Sequence, residues 1–308
     1  MLKSLFAAAL VPAFFFGHVS PVGAKGATTV HHDVSFVSQG MTLRGTVYIP
    51  SRARIIAAAV WVDGSGETKR KSGLAEYLAR NGLALLTYDK RGVGKSGGVY
   101  AGPEVGTNNV SVENLTLLAD DAAAALQSLS TEKLLHGTPL GFIGASQAGW
   151  IIPLAALKSP HARFMVLWSG PVETTHEEVL FEQVATRRDP EFWDHHSNEE
   201  VQKMMSRIPD HFAWPDFDPR AALSRLKIPG LWFFGGRDRK VYVDLSMSNL
   251  NALIAAGHIN YSYMLFPGYN HNLAGEQRDV IDPLLAWIRQ VVHTPPASCA
   301  PHFQASRN

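Results

Sequence analysis

Leu140-Gly141-Phe142-Ile143-Gly144-Ala145-Ser146-Gln147-Ala148-Gly149-Trp150-Ile151-Ile152 is the stretch whose reading decides the fold. Leu140 to Ile143 is a short apolar run with the look of a buried strand. From Trp150 to Leu157 the apolar residues continue as a helical pattern. Between them stands a serine flanked by small residues. A small-x-Ser-x-small segment joining a strand to a helix reads as a nucleophile elbow: the turn is so sharp that side chains two residues either side of the serine would collide, and the serine oxygen is left exposed at the strand end. Ala148 stands where the G-x-S-x-G form of this elbow has glycine, and a glycine follows one residue later.

Working outward, strands alternate with helices. Val30 to Pro50 reads as an antiparallel hairpin turning at Ser38-Gln39-Gly40, at a sheet edge. Ile55–Val62 and Leu83–Tyr88 are continuous apolar runs, expected as buried strands, with a helix at Ser72–Leu83 between them. Val112–Leu129 predicts a helix with Leu115, Leu118, Ala122, Ala125 and Leu126 on one side. Phe164–Trp168, Ile228–Phe234 and Ile259–Phe266 predict further strands, and Val243–Ala256 and Gln277–Val292 further helices. Residues 171–219 change character: they are more charged, carry Trp193 and Trp214, and show helical segments without strands. The pattern predicts an α/β chain with a mainly parallel central sheet, helices on both faces and a small helical cap at about 171–219.

Composition narrows the class. With 308 residues, 46% hydrophobic and 18% charged, the chain is long enough for one large core. A formal net charge of +1 gives no reason to expect nucleic acid or an anionic membrane surface as partner. Cys299 is the single cysteine, which excludes an intramolecular disulfide. Lys3, the apolar run Leu5 to Phe16 and the small residues Val22-Gly23-Ala24 read as a cleaved secretory signal over residues 1–24, which predicts a secreted or periplasmic mature domain over 25–308. The apolar run is short for a bilayer span, and no other stretch would cross a membrane. The tail 294–308, with Pro295-Pro296, is expected to be poorly ordered.

A serine hydroxyl needs a base within hydrogen-bond reach, and the base needs a carboxylate to orient it. In an open α/β sheet both belong in loops after the carboxyl ends of strands. Asp238 follows Phe233-Phe234-Gly235-Gly236-Arg237, and His271 follows Leu265-Phe266-Pro267-Gly268-Tyr269-Asn270. The order Ser146, Asp238, His271 suits a nucleophile, an orienting acid and a base on such a sheet. Backbone N–H groups must meet the oxyanion; Gln147, next to the serine, is one expected donor, and Ser65 in Asp63-Gly64-Ser65-Gly66 the other, with Gly64 and Gly66 as alternatives. Trp168, ending a strand at the same edge, is the expected pocket wall.

These residues resemble the α/β-hydrolase fold. Tyr88-Asp89-Lys90-Arg91-Gly92-Val93-Gly94-Lys95-Ser96-Gly97 is similar to that family's D-x-R-G-x-G-x-S loop. Phe36-Val37-Ser38-Gln39-Gly40 with Leu43, Gly45-Thr46 and Pro50 resembles the opening hairpin of its secreted esterase and serine-aminopeptidase-like (dienelactone-hydrolase-like) members. Two departures are Ala148 and Asp63, the latter where a histidine commonly precedes the oxyanion-hole glycine. The resemblance implies a serine hydrolase acting on small-molecule carboxylic esters, without a cofactor. A peptidase using the same triad is the alternative, with Glu177-Glu178 or Glu199-Glu200 as sites for a substrate amine; a non-catalytic binding protein on this scaffold is another. Asp89, Arg91 and Ser96 are expected to hold structure. Asp194-His195-His196 and His31-His32 read as solvated rather than metal-binding, since neighbours on a helix do not converge. Asn109-Val110-Ser111 and Asn114-Leu115-Thr116 match glycosylation sequons.

Overall fold

The apolar runs at 57–62, 83–88 and 230–235 lack polar residues at alternate positions, so they satisfy only a sheet covered on both faces. The computed structural model describes residues 28–101, 108–185, 191–212, 215–273 and 277–293. In it these runs form β3 (Ala57–Val62), β4 (Leu83–Tyr88) and β7 (Gly230–Gly235), with every residue buried. With β1 (Thr29–Ser38), β2 (Met41–Pro50), β5 (Leu140–Ala145), β6 (Ala162–Trp168) and β8 (Tyr261–Phe266) they make one sheet of order β1-β2-β4-β3-β5-β6-β7-β8. β3 to β8 run parallel, while β1 and β2 form an antiparallel edge hairpin. Its turn residues Gln39 and Gly40 both have positive φ, 47° and 74°, the handedness that matches the twist of flanking strands.

Alternation along the strands sorts the core into two layers. Ala58, Val60 and Val62 of β3 and Trp232 and Phe234 of β7 face one side, against α2 (Val112–Ser130), α3 (Ala148–Lys158) and α8 (Val243–Ala255). Trp61 of β3 and Leu231 and Phe233 of β7 face the other, against α1 (Ser72–Arg80) and α9 (Gln277–His293). Each fully buried Leu, Ile or Phe in these layers contributes about 1.5–3 kcal/mol of transfer free energy. β3 and β8 start two residues later than their apolar runs suggest. Ala57 pairs with Leu83, and Tyr261 with Gly230, each at the start of the adjacent strand, so residues before them have no ladder to join.

Between β6 and β7 the described residues hold α4 (Thr175–Ala185), α5 (Phe192–His195), α6 (Asn198–Met205) and the short α7 (Arg220–Leu223). Phe181, Val184, Phe192 and Val201 bury a small core of their own, with Tyr242 as its link to the sheet domain. Residues 1–24, Trp214 and the tail 294–308, on which sequence expectations rest, lie outside the described residues. Among the described residues no helix is long and apolar enough to cross a membrane.

Candidate active site

β5, β6, β7 and β8 are consecutive parallel neighbours, so the loops at their carboxyl ends share one edge. Ser146 follows β5 with φ +56°, in the left-handed region that an L-residue occupies only at a cost. Its N–H is fixed to Trp168 O at the end of β6 (2.9 Å), and its own carbonyl accepts from Gly149 N at the start of α3 (2.8 Å). Ser169, also at positive φ, ties the edge together: its N–H donates to Phe233 O (2.8 Å) and its hydroxyl to His271 O (2.7 Å).

Asp238 and His271 meet because the loops after β7 and β8 pass at backbone contact. A Cβ on Gly235 would fall 2.4 Å from the carbonyl oxygens of Tyr269 and Asn270. Gly236 N and Arg237 N donate to Phe266 O and Tyr269 O, both at 2.9 Å. Asp238 is buried; Lys240 N (2.7 Å) and Val241 N (3.0 Å) donate to Oδ1, and Oδ2 faces His271 Nδ1 at 2.8 Å. This leaves Nε2 as the outward ring nitrogen of a partly exposed histidine. Among the described residues no hydrogen bond joins Ser146 Oγ to His271, a contact that often tightens only around substrate.

The loop after β3 lies against the serine: a Cβ on Gly64 would stand 3.1 Å from Ser146 Cβ. Ser65 O accepts from Tyr100 Oη and from Asn109 Nδ2 (3.2 Å). Gln147 is buried, and its amide donates to Asn109 O (2.9 Å) and Oδ1 (3.0 Å). Lys90, from the loop after β4, donates to Gly64 O (2.7 Å) and Gln147 Oε1 (3.1 Å). Burial pushes the Lys90 ammonium down to about 8, with the charge of Asp63 opposing that shift. Asp63 itself is turned aside: its Oδ1 accepts from Trp61 Nε1 (2.9 Å) and lies 3.8 Å from Lys71 Nζ, while burial raises its carboxyl. The carboxylate in place of the histidine is therefore occupied by the tryptophan. Trp168 packs edge-on against Trp61, with ring centroids 5.3 Å apart.

The other motif residues go to separate duties. Asp89 receives Arg70 and Lys95 N, and Ser96 closes the same loop on Asp89 O and Arg44 N. Arg91 pairs with Asp121. Asp194 grips Arg237, His196 packs on Phe192, and His32 meets Glu132, so these histidines do not converge. Glu177 and Glu200 close the N-termini of α4 and α6, accepting from Thr174 N and Ser197 N, both at 2.8 Å. Asn109 is fully buried, which hides that sequon. Lys90 and Asn109 are the site neighbours that sequence reasoning missed, and neither carries a local signal of its burial.

The family model for serine aminopeptidase, S33, matches residues 53–222, more than half of the chain. No protein of curated function matches the sequence. Among solved structures, the chain is similar to the Pyrococcus furiosus esterase Pf2001, with 16% identity, 86% of this chain and 90% of that one covered, and TM-score 0.57. It is similar to a cold-adapted esterase from an Arctic intertidal metagenomic library, with 15% identity, 86% and 94% covered, and TM-score 0.56. It is also similar to the Pyrococcus horikoshii acylaminoacyl peptidase, with 17% identity, 80% and 38% covered, and TM-score 0.55. At such identities the structures speak for the fold alone, and the family match speaks for hydrolysis. With its mainly parallel eight-stranded sheet and its serine elbow after β5, the chain belongs to the serine aminopeptidase S33 family of α/β-hydrolase-fold serine hydrolases.

Proposed function

We propose that this serine hydrolase cleaves carboxylic esters of small molecules through an acyl-enzyme. Ser146 Oγ attacks the acyl carbonyl; His271 takes its proton and passes it to the departing alcohol; Asp238 fixes the imidazole tautomer and stabilises the imidazolium. The tetrahedral oxyanion is met by the N–H groups of Ser65 and Gln147, each worth on the order of 3 kcal/mol to the transition state. Water then repeats the sequence on the acyl-enzyme, with His271 as base and Ser146 as leaving group. Trp168 borders the acyl site, the helices from 171 to 219 cap it, and residues 1–24 direct the enzyme out of the cytoplasm.

The observation that carries this reading is the 2.8 Å contact from His271 Nδ1 to a buried Asp238, at the same sheet edge as a serine held at φ +56°. Esters are favoured over peptides by the duties of the acidic residues. A peptidase acting at a free amino end needs an ionised, uncommitted carboxylate aimed at the amine; Glu177 and Glu200 are spent on helix capping, burial holds Glu178 toward its neutral form, and Glu199 lies exposed on α6. The test is a fluorophosphonate probe with short p-nitrophenyl esters and aminoacyl anilides. Labelling of wild type and not of Ser146→Ala, with turnover of the esters alone, is the expected outcome. Preferential turnover of the anilides would replace the ester reading with the peptidase one.

A further inference from the structure

Lys90 is an expensive residue where it sits. A buried ammonium must be compensated by hydrogen bonds or charge, and this one is placed between two loops rather than against a single carboxylate. Its neighbours in the chain, Asp89 and Arg91, turn away to Arg70 and to Asp121. Lys90 instead reaches the loop after β3 and the residue after Ser146, and both of its acceptors lie on residues at the expected oxyanion hole.

The first acceptor, Gly64 O, is the carbonyl of the peptide unit whose N–H is that of Ser65. In a trans peptide these two groups point in opposite directions in one plane. A cation holding the carbonyl at 2.7 Å therefore fixes the direction of the Ser65 N–H, and polarises that amide toward stronger donation. The second acceptor, Gln147 Oε1 at 3.1 Å, anchors the residue that supplies the other N–H. Asn109 completes the frame, receiving the Gln147 amide and donating to Ser65 O.

We propose that protonated Lys90 is the positioning residue of the oxyanion hole, setting both N–H donors from behind and polarising that of Ser65, while touching neither substrate nor Ser146. The proposal rests on the reading of Ser146 as nucleophile. Its signature is a loss in the chemical step, because the donors matter most when the oxyanion forms. The groups that face Lys90 are Asp63 from the loop after β3, Tyr88 at the end of β4, whose phenol is held neutral by burial, and the ring of Tyr100 at 5.5 Å. Asp63 alone opposes loss of the charge. Rising alkalinity therefore removes the cation from about pH 8 upward, and kcat falls with it.

The experiment compares wild type, Ser146→Ala and Lys90→Met, an uncharged side chain of similar length. It reads fluorophosphonate labelling rate, kcat and KM for p-nitrophenyl acetate, and thermal melting. Lys90→Met is expected to melt as a folded protein, to label and turn over about 10–100-fold more slowly, and to hold KM within about threefold. Folded Lys90→Met that labels and turns over at the wild-type rate, or that loses only in KM, overturns the role of Lys90. Unlabelled, folded wild type overturns the nucleophile reading and this role with it. Should Lys90→Met not fold, wild type carries the test: kcat falls between about pH 7 and pH 10 with circular dichroism unchanged, and a flat kcat over that range overturns the proposal.

Discussion

Ala148 and Gly144 share space for a single methyl group. A Cβ built on Gly144 would lie 2.6 Å from Ala148 Cβ and 2.5 Å from Val62 O of the neighbouring strand. The elbow therefore tolerates alanine at 148 because glycine is kept at 144, the position that the Val62 carbonyl closes to any side chain. Gly144→Ala is expected to destabilise by about 1–3 kcal/mol, the range of an overpacked core, and to displace Ser146. Ala148→Gly is expected to fold and to keep activity. Combining the two does not rescue Gly144→Ala, because the Val62 carbonyl is backbone and cannot yield. Urea denaturation with fluorophosphonate labelling checks this; full rescue in the double variant would show that Ala148 alone sets the limit. At this scale the placement of Ser146, Asp238 and His271 at one sheet edge is legible in the sequence, since each follows a strand that its own apolar run announces. Lys90 and Asn109 are not. Their partners lie 26, 57 and 38 positions away in the chain, and a polar residue gives no local sign that folding will bury it.

The elements themselves are legible to within two residues wherever burial is two-sided, because continuous apolar runs such as 83–88 have no other stable use. Residues 171–219 yield less: α4 and α6 bury only a few apolar residues each, so their periodicity is faint and the capping boxes at Thr174 and Ser197 carry the signal. What locks elements together is less visible still. Arg91, after β4, donates Nε to Asp121 Oδ2 of α2 (2.9 Å) and Nη2 to Ser38 O of the edge hairpin (3.1 Å), joining three elements through one buried guanidinium. Burial raises the Asp121 carboxyl even beside Arg91, so the pair acts by geometry more than by surplus attraction. Asp121→Asn strands the cation and is expected to cost about 3–5 kcal/mol, whereas Arg91→Met with Asp121→Leu recovers most of that. Equal losses in the single and double variants, read by urea denaturation, would mean that packing rather than charge is at stake.

Over the whole molecule, the sheet fixes the edge that carries Ser146, Asp238 and His271, while buried carboxyls tie the 171–219 segment to it. Glu173 accepts from Val172 N (3.1 Å), from Tyr242 N at the start of α8 (2.9 Å) and from the Ser246 hydroxyl. Glu178 of α4 is buried too, and among the described residues its Oε2 has no hydrogen-bond partner. Burial first, then the charges of Glu173, Glu182 and Asp238, hold the Glu178 carboxyl well above its ordinary value of 4.5, with Lys240 opposing. A carboxyl raised in the folded state takes up a proton on folding. Its contribution to stability is complete below the ordinary carboxylate range and is lost as pH rises toward the raised value. Wild type is therefore expected to lose melting temperature as pH rises above the ordinary carboxylate range, beyond what its exposed groups explain. Glu178→Gln removes the ionisation while keeping the shape, so it should melt higher than wild type at the alkaline end and show a shallower slope. Fluorophosphonate labelling checks that the edge carrying Ser146 is intact while melting is followed. Parallel slopes for the two proteins would mean that Glu178 is ionised in the folded chain, with Lys240 as its counter-charge.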